Sequence, residues 1–146
     1  MLRMTRKADY GLVLLTRFAA EPAGAVHSAR DLAEATGIPQ PTVSKVLKTL
    51  ARHDLLASQR GVRGGYRLGR PANEIRLDQV LAALEGPIAM TECSPAATGA
   101  CEHEPVCPAR SSLQKVDRVV RDALQRMTLA EMAGPLPNPG ARVIRV

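Results

Sequence analysis

Apolar positions along this chain fall into helical periods over most of its length. Between residues 5 and 21, Leu12, Leu15, Phe18 and Ala19 recur three and four residues apart, with Val13 and Leu14 widening the stripe. An amphipathic first helix is expected there, stopped by Pro22 and Gly24. Ser28 is placed to cap a second helix, with Asp31 at its third position and Leu32 and Ala33 facing inward. Gly37 suits the left-handed residue that ends it. Pro39, Gln40 and Pro41 open a third helix that runs to about Arg52 and buries Val43, Val46, Leu47 and Leu50.

The pattern then shortens. Residues 55–60 and 66–70 read as two strands, joined by a turn over 61–65 whose three glycines allow positive φ. A fourth helix over 77–86 has Val80, Leu81 and Leu84 inside and Gly86 at its end. From Pro108 a long helix begins, with Leu113, Val116, Val120, Leu124 and Met127 at 3-4-4-3 spacing. Lys115, Asp117, Arg118, Arg121 and Asp122 are expected on its solvated side. So narrow a stripe suits a helix–helix seam, which predicts a dimerisation helix and a homodimer. Thr128 is placed to cap a short final helix.

A short helix, a glycine turn and a second helix, followed by a hairpin, is the winged helix-turn-helix pattern. The expected fold is mainly α with a small β-hairpin. The winged helix-turn-helix domain spans 1–86, a cysteine-rich loop 87–107, and the dimerisation helix with a short C-terminal helix 108–133. Residues 134–146 read as a disordered tail. The segment from Met1 to Ala25 imitates a secretion signal, but Asp9 and Arg17 interrupt its apolar run. No apolar run approaches the ~18 residues of a membrane span, so a cytoplasmic, membrane-free protein is expected.

Charge sharpens this picture. Residues 1–76 carry 13 Lys and Arg against 6 Asp and Glu, net +7, whereas residues 77–146 carry 7 against 8, net −1. A basic first half points to a polyanion. With two Tyr, one Phe and no Trp in the chain, aromatic stacking on single strands is disfavoured, which leaves a double-stranded DNA operator as the expected partner. Gln40, Thr42, Ser44 and Lys45, with Lys48 one turn later, lie off the buried stripe of the third helix and are candidate base and phosphate contacts. Arg60, Arg63, Arg67 and Arg70 stud the hairpin as wing contacts to phosphate or the minor groove. No nucleophile–base pair, phosphate loop or carboxylate pair suggests an enzyme.

All three cysteines of the chain lie in one loop, as Cys93, Cys101 and Cys107, in a C-x7-C-x5-C spacing. An odd count argues for a reducing compartment. Three explanations stand side by side. Thiolates favour an iron–sulfur cluster. Zinc is possible with His103 as fourth ligand. The third is a thiol switch or incidental surface thiols. The spacing matches neither the tight pairs of zinc fingers nor ferredoxin runs. A three-thiolate set leaves a fourth ligand to come from elsewhere.

Asp9-Tyr-Gly in the first helix, the helix-turn-helix, the wing sequence Arg60-Gly-Val-Arg-Gly-Gly-Tyr-Arg-Leu68, the three-cysteine loop and the long helix together resemble bacterial winged-helix regulators of the IscR/NsrR type, the Rrf family. The resemblance covers about residues 1–133, and its opening is similar to the subgroup that regulates the SUF iron–sulfur assembly genes. It implies a repressor-type homodimer whose cysteine loops each hold a cluster, either two-iron or four-iron, with occupancy altering operator binding. Cys93, Cys101 and Cys107 match the family's three ligands. Asp9 matches the position that supplies a fourth ligand from the other subunit in NsrR-like members, with His103 the second choice. The first cysteine interval is two residues longer than the family's usual one, and Arg110 stands where IscR has a histidine.

Overall fold

A computed structural model describes residues 3–97 and 101–134. The helices are α1 (Arg6–Ala19), α2 (Ala29–Thr36), α3 (Gln40–Arg52), α4 (Leu77–Glu85), α5 (Arg110–Arg126) and α6 (Leu129–Met132). Strands β1 (Leu56–Gln59) and β2 (Gly65–Leu68) pair antiparallel, Leu56 opposite Leu68 and Gln59 opposite Gly65. The expected C-terminal tail beyond Gly134 lies outside the described residues.

The caps explain where the helices begin and end. Thr5 and Ser28 accept the amides of Ala8 and Asp31. Gly37 ends α2 at φ 71°, the left-handed conformation that glycine adopts without steric cost. Thr128 and Glu131 form a reciprocal capping box on α6. Glu131 is consequently held below the usual carboxylate range by the Thr128 amide and hydroxyl.

The core is aliphatic and centred on α1, which packs against α3, α4 and α6. Leu14, Leu15, Leu32, Val43, Leu47, Leu50, Ile75 and Leu129 are all buried to 1% exposure or less. Each such side chain contributes roughly 1.5–3 kcal/mol. Gly11 is what lets α4 approach, because a Cβ there would collide with the tip of Leu84. Val13, expected to widen the buried stripe, is instead 47% exposed. Four residues of a 3.6-residue period cannot all face one side, and Leu12, Leu14 and Leu15 occupy it.

The chain returns to this body after α5. Leu77 donates its amide to Met127 O at 2.9 Å, Leu129 donates to Ile75 O at 2.8 Å, and Leu129 sits in the core. The segment after α5 therefore closes back on the stretch that leads into α4.

The wing is fastened by a contact the hydrophobic pattern does not announce. His27 and Tyr66 exchange both backbone hydrogen bonds at 2.9 Å, adding a one-residue third rung to the hairpin. The His27 ring stands edge-on to Phe18 at 5.1 Å. The wing glycines serve a different purpose from the expected one. Only Gly61 has positive φ, at 116°. At Gly64 a Cβ would strike the Gln59 and Gly61 carbonyls, and at Gly65 the His27 carbonyl. Close backbone approach, not a left-handed turn, excludes side chains at both. Gly65→Ala should therefore cost about 1–3 kcal/mol, since backbone cannot yield as a side chain can. Thermal unfolding will show this as a melting point several degrees lower, with Gly61→Ala as the comparison that strains only the turn.

Candidate DNA-binding surface and cysteine loop

Burial of Val43, Val46, Leu47 and Leu50 fixes the rotation of α3 about its axis. Gln40, Lys45 and Lys48 are left exposed, and Thr42 and Ser44 half-buried. The wing presents Arg60, Arg63 and Arg67 to solvent, with Val62 projecting fully from the turn. Arg70 departs from that expectation. It is half-buried and its Nη2 faces Gln79 Oε1 at 3.4 Å, so it braces the base of the wing on α4.

The tertiary structure adds residues that periodicity assigned only to a first helix. A cleft of about 410 Å³ between α1 and α3 brings Arg6, Lys7 and Tyr10 beside Thr42 and Lys45. The Lys7 ammonium donates to Leu84 O at 2.7 Å, which holds its charge at the cleft edge. Among the described residues neither Arg6 nor Lys45 pairs with a carboxylate. The basic run at positions 3, 6 and 7 was visible in the sequence, but nothing there placed it next to α3.

On the far side of α4, the chain enters the cysteine loop, whose two arms differ. The first arm is fastened to α5. The Met90 amide donates to Asp117 Oδ1 at 2.9 Å, and Gln114 Nε2 donates to the Cys93 carbonyl at 3.3 Å. The Ser94 amide closes a turn onto Thr91 O at 3.0 Å, and the Thr91 hydroxyl lies 3.2 Å from Cys93 Sγ. Cys93 is 8% exposed and Ser94 5%. The second arm holds mainly to itself. Glu104 and Cys107 amides donate to the Cys101 and Glu104 carbonyls at 3.1 and 3.4 Å, and Glu104 pairs with Arg110 at 2.8 Å. Cys101 and Cys107 are half-buried and His103 is exposed. Thr98–Ala100, between the arms, lies outside the described residues.

Asp117 corrects the sequence reading of α5. It was expected on the solvated face with the neighbouring charges, yet it is the one buried residue of that helix, at 0% exposure. Its Oδ2 lies 2.7 Å from Arg121 Nη2 one turn on, an ionic contact rather than an aligned hydrogen bond. Burial on its own pushes this carboxyl up. The Met90 amide, the Ser94 hydroxyl and the Arg121 charge outweigh burial and hold it below its ordinary value. The apolar stripe of α5 is only partly covered: Val116 is 50% and Met127 44% exposed, whereas Leu113, Val120 and Leu124 are half-buried, Leu124 against the core.

Asp9 lies on the exposed face of α1, in its first turn, where a carboxylate complements the helix dipole. Among the described residues, no three His, Cys, Asp or Glu side chains gather closely enough to hold a metal ion. The donor set itself suits a cluster, since three thiolates on one loop are the soft ligands iron–sulfur centres use. No described helix is long and apolar enough to cross a membrane.

These features define a winged-helix DNA-binding protein with a thiol-bearing loop. The Rrf2 family model, described as that of iron-dependent transcriptional regulators, matches residues 4–135. The chain belongs to the Rrf2 family, whose members are DNA-binding transcriptional regulators and not enzymes. Among solved structures it is similar to CymR of B. subtilis, named its global cysteine regulator, at 27% identity and TM-score 0.76, over 91% of this chain and 97% of that one. The oxidised form of Staphylococcus aureus CymR matches at 26% identity and TM-score 0.70, over 94% and 100%. IscR of T. potens shares the fold at 24% identity and TM-score 0.69, over 90% and 85%.

The Asp117 clasp has a pH signature. A carboxyl lowered in the fold adds stability that is fully present above the ordinary carboxylate value, about pH 4, and is lost as pH falls through the lower folded value. In metal-free protein, Asp117→Asn should cost about 1–3 kcal/mol at neutral pH. It should also flatten the fall in stability on acidification, as urea melts at pH 7 and below pH 4 will show.

Proposed function

We propose that the protein is a homodimeric repressor that reads a double-stranded operator with α3 and the wing, and senses through its cysteine loop. The observation that carries this reading is that all the thiols lie on the segment joining α4 to α5, with one arm fastened to α5. A change at the thiols thus bears on the helix whose partly exposed stripe, with Val116 and Met127 open, suits a two-fold seam.

Within this reading Cys93, Cys101 and Cys107 hold an iron–sulfur cluster, and Asp9 of the partner subunit supplies the fourth ligand. The cluster would supply a redox- and gas-sensitive centre; the chain's own residues supply the thiolates and their attachment to α5. Likeness of the opening residues to the SUF-regulating subgroup supports iron–sulfur assembly genes as targets. A second reading, a thiol switch without metal, is favoured by the similarity to the oxidised form of CymR. Zinc with His103 is the third outcome.

On the DNA face, Gln40, Thr42, Ser44 and Lys45 read base edges and Lys48, Arg60, Arg63 and Arg67 neutralise phosphates. Arg6 joins the phosphate contacts from its cleft beside α3.

Three measurements test these statements. Anaerobically purified wild type should contain iron and sulfide in matched amounts, and Asp9→Ala should alter the visible spectrum while His103→Ala does not. Zinc alone, or colourless protein that binds DNA in a thiol-dependent way, selects one of the other readings. Arg63→Ala and Arg6→Ala should each weaken binding to all sequences and reduce the salt slope by about 1, whereas Ser44→Ala should change operator preference. Val116→Glu, at a side chain already half exposed in the monomer, should convert a dimer to monomer in sedimentation without loss of helicity.

A further inference from the structure

We infer that Asp117 is a positioning residue for Cys93, making the three thiols unequal. Cys93 is the pre-set anchor of the loop, and Cys101 and Cys107 form the arm that reacts or rearranges first. The inference deepens the sensor-loop reading, since it assigns separate parts to thiols that the spacing alone leaves equivalent.

The argument starts from the cost of burial. A fully buried carboxylate persists only where its charge and lone pairs are met. Here a loop group meets the carboxylate: the Met90 amide, three residues before Cys93, donates to Oδ1. Arg121 fixes the carboxylate from the opposite side at 2.7 Å. Oδ1 of Asp117 accepts the Met90 amide and Oδ2 lies against the Arg121 charge, so the carboxylate is committed to these two partners. Gln114, nearly one turn earlier on α5, holds the Cys93 carbonyl. Asp117 and Gln114 together hold the Met90–Ser94 turn at two points, the Met90 amide and the Cys93 carbonyl, and Cys93 is buried within it. Among the described residues, the Cys101–Cys107 arm has no such hydrogen bond to the middle of α5. Its bonds run among its own residues and to Arg110, the first residue of α5. Any displacement of the Cys93 turn must pull on Asp117, and through it on the middle of α5.

The test is the alkylation rate of each cysteine by iodoacetamide in reduced, metal-free, full-length protein, read by peptide mass spectrometry. Absence of metal makes the result independent of whether a cluster is the physiological ligand. Wild type should modify Cys101 and Cys107 about tenfold faster than Cys93, as expected when reaction at Cys93 needs a local opening. Asp117→Asn should remove most of that gap and leave the Cys101 to Cys107 ratio unchanged. Leu129→Ala, which weakens the core remotely, should keep the wild-type ratios. Should Asp117→Asn fold poorly, Gln114→Ala, which loses only the bond to the Cys93 carbonyl, should narrow the gap in the same sense. Equal rates at all three thiols in wild type would overturn the inference. So would a Cys93 as protected in well-folded Asp117→Asn and Gln114→Ala as in wild type. Failure of the sensor reading would show separately, as DNA binding indifferent to replacement of all three cysteines by serine.

Discussion

An aliphatic core gathered round α1 is the constraint on which everything else depends. With a single phenylalanine and no tryptophan, the domain cannot fill space with large rings, so leucine, valine and isoleucine from α1, α3, α4 and α6 must interlock closely. Gly11 permits this by letting Leu84 of α4 reach the α1 backbone. One face of α1 thereby holds α3 at a fixed rotation, and another holds α4, from which the cysteine loop departs. DNA-facing and thiol-bearing parts share one rigid support.

Against this apolar background the buried Asp117 stands out. An ion pair taken from water rarely adds net stability, and apolar residues of the same shape would pack as well. Losing one partner, however, leaves an uncompensated charge, so the arrangement is sharply specific. The turn that carries Cys93 must sit on α5 in the one register that meets the carboxylate. Specificity of register, rather than strength, is what such a clasp contributes here.

The exposed positive charges of α1, α3 and the wing are the proposed means of association with DNA. Arg60, Arg63, Arg67, Lys45, Lys48 and Arg6 are exposed and belong to three separate elements, so their attraction to a duplex is spread along its backbone. Arg70 is the instructive exception. It stands in the same basic hairpin, yet the hairpin's antiparallel register returns it toward α4 and Gln79.

Local signals in the chain were enough to determine the helices, their caps and the hairpin. Ser28, Gly37 and Thr128 act through neighbours three or four residues away, and the stripes of α3 and α4 follow from period alone. The basic first half and the lone cysteine loop were equally plain, because composition and spacing need no third dimension. Only tertiary structure decided the rest, for one physical reason: each case depends on a partner distant in sequence. Gly65 is glycine because the carbonyl of His27, before α2, presses against it. Arg6 meets Lys45 across a cleft between α1 and α3, and Val13 yields the core to its neighbours. Asp117 was indistinguishable from the solvated charges beside it until Met90, twenty-seven residues earlier, supplied an amide. A helical period tells which residues share a face, but not which faces the rest of the chain will cover.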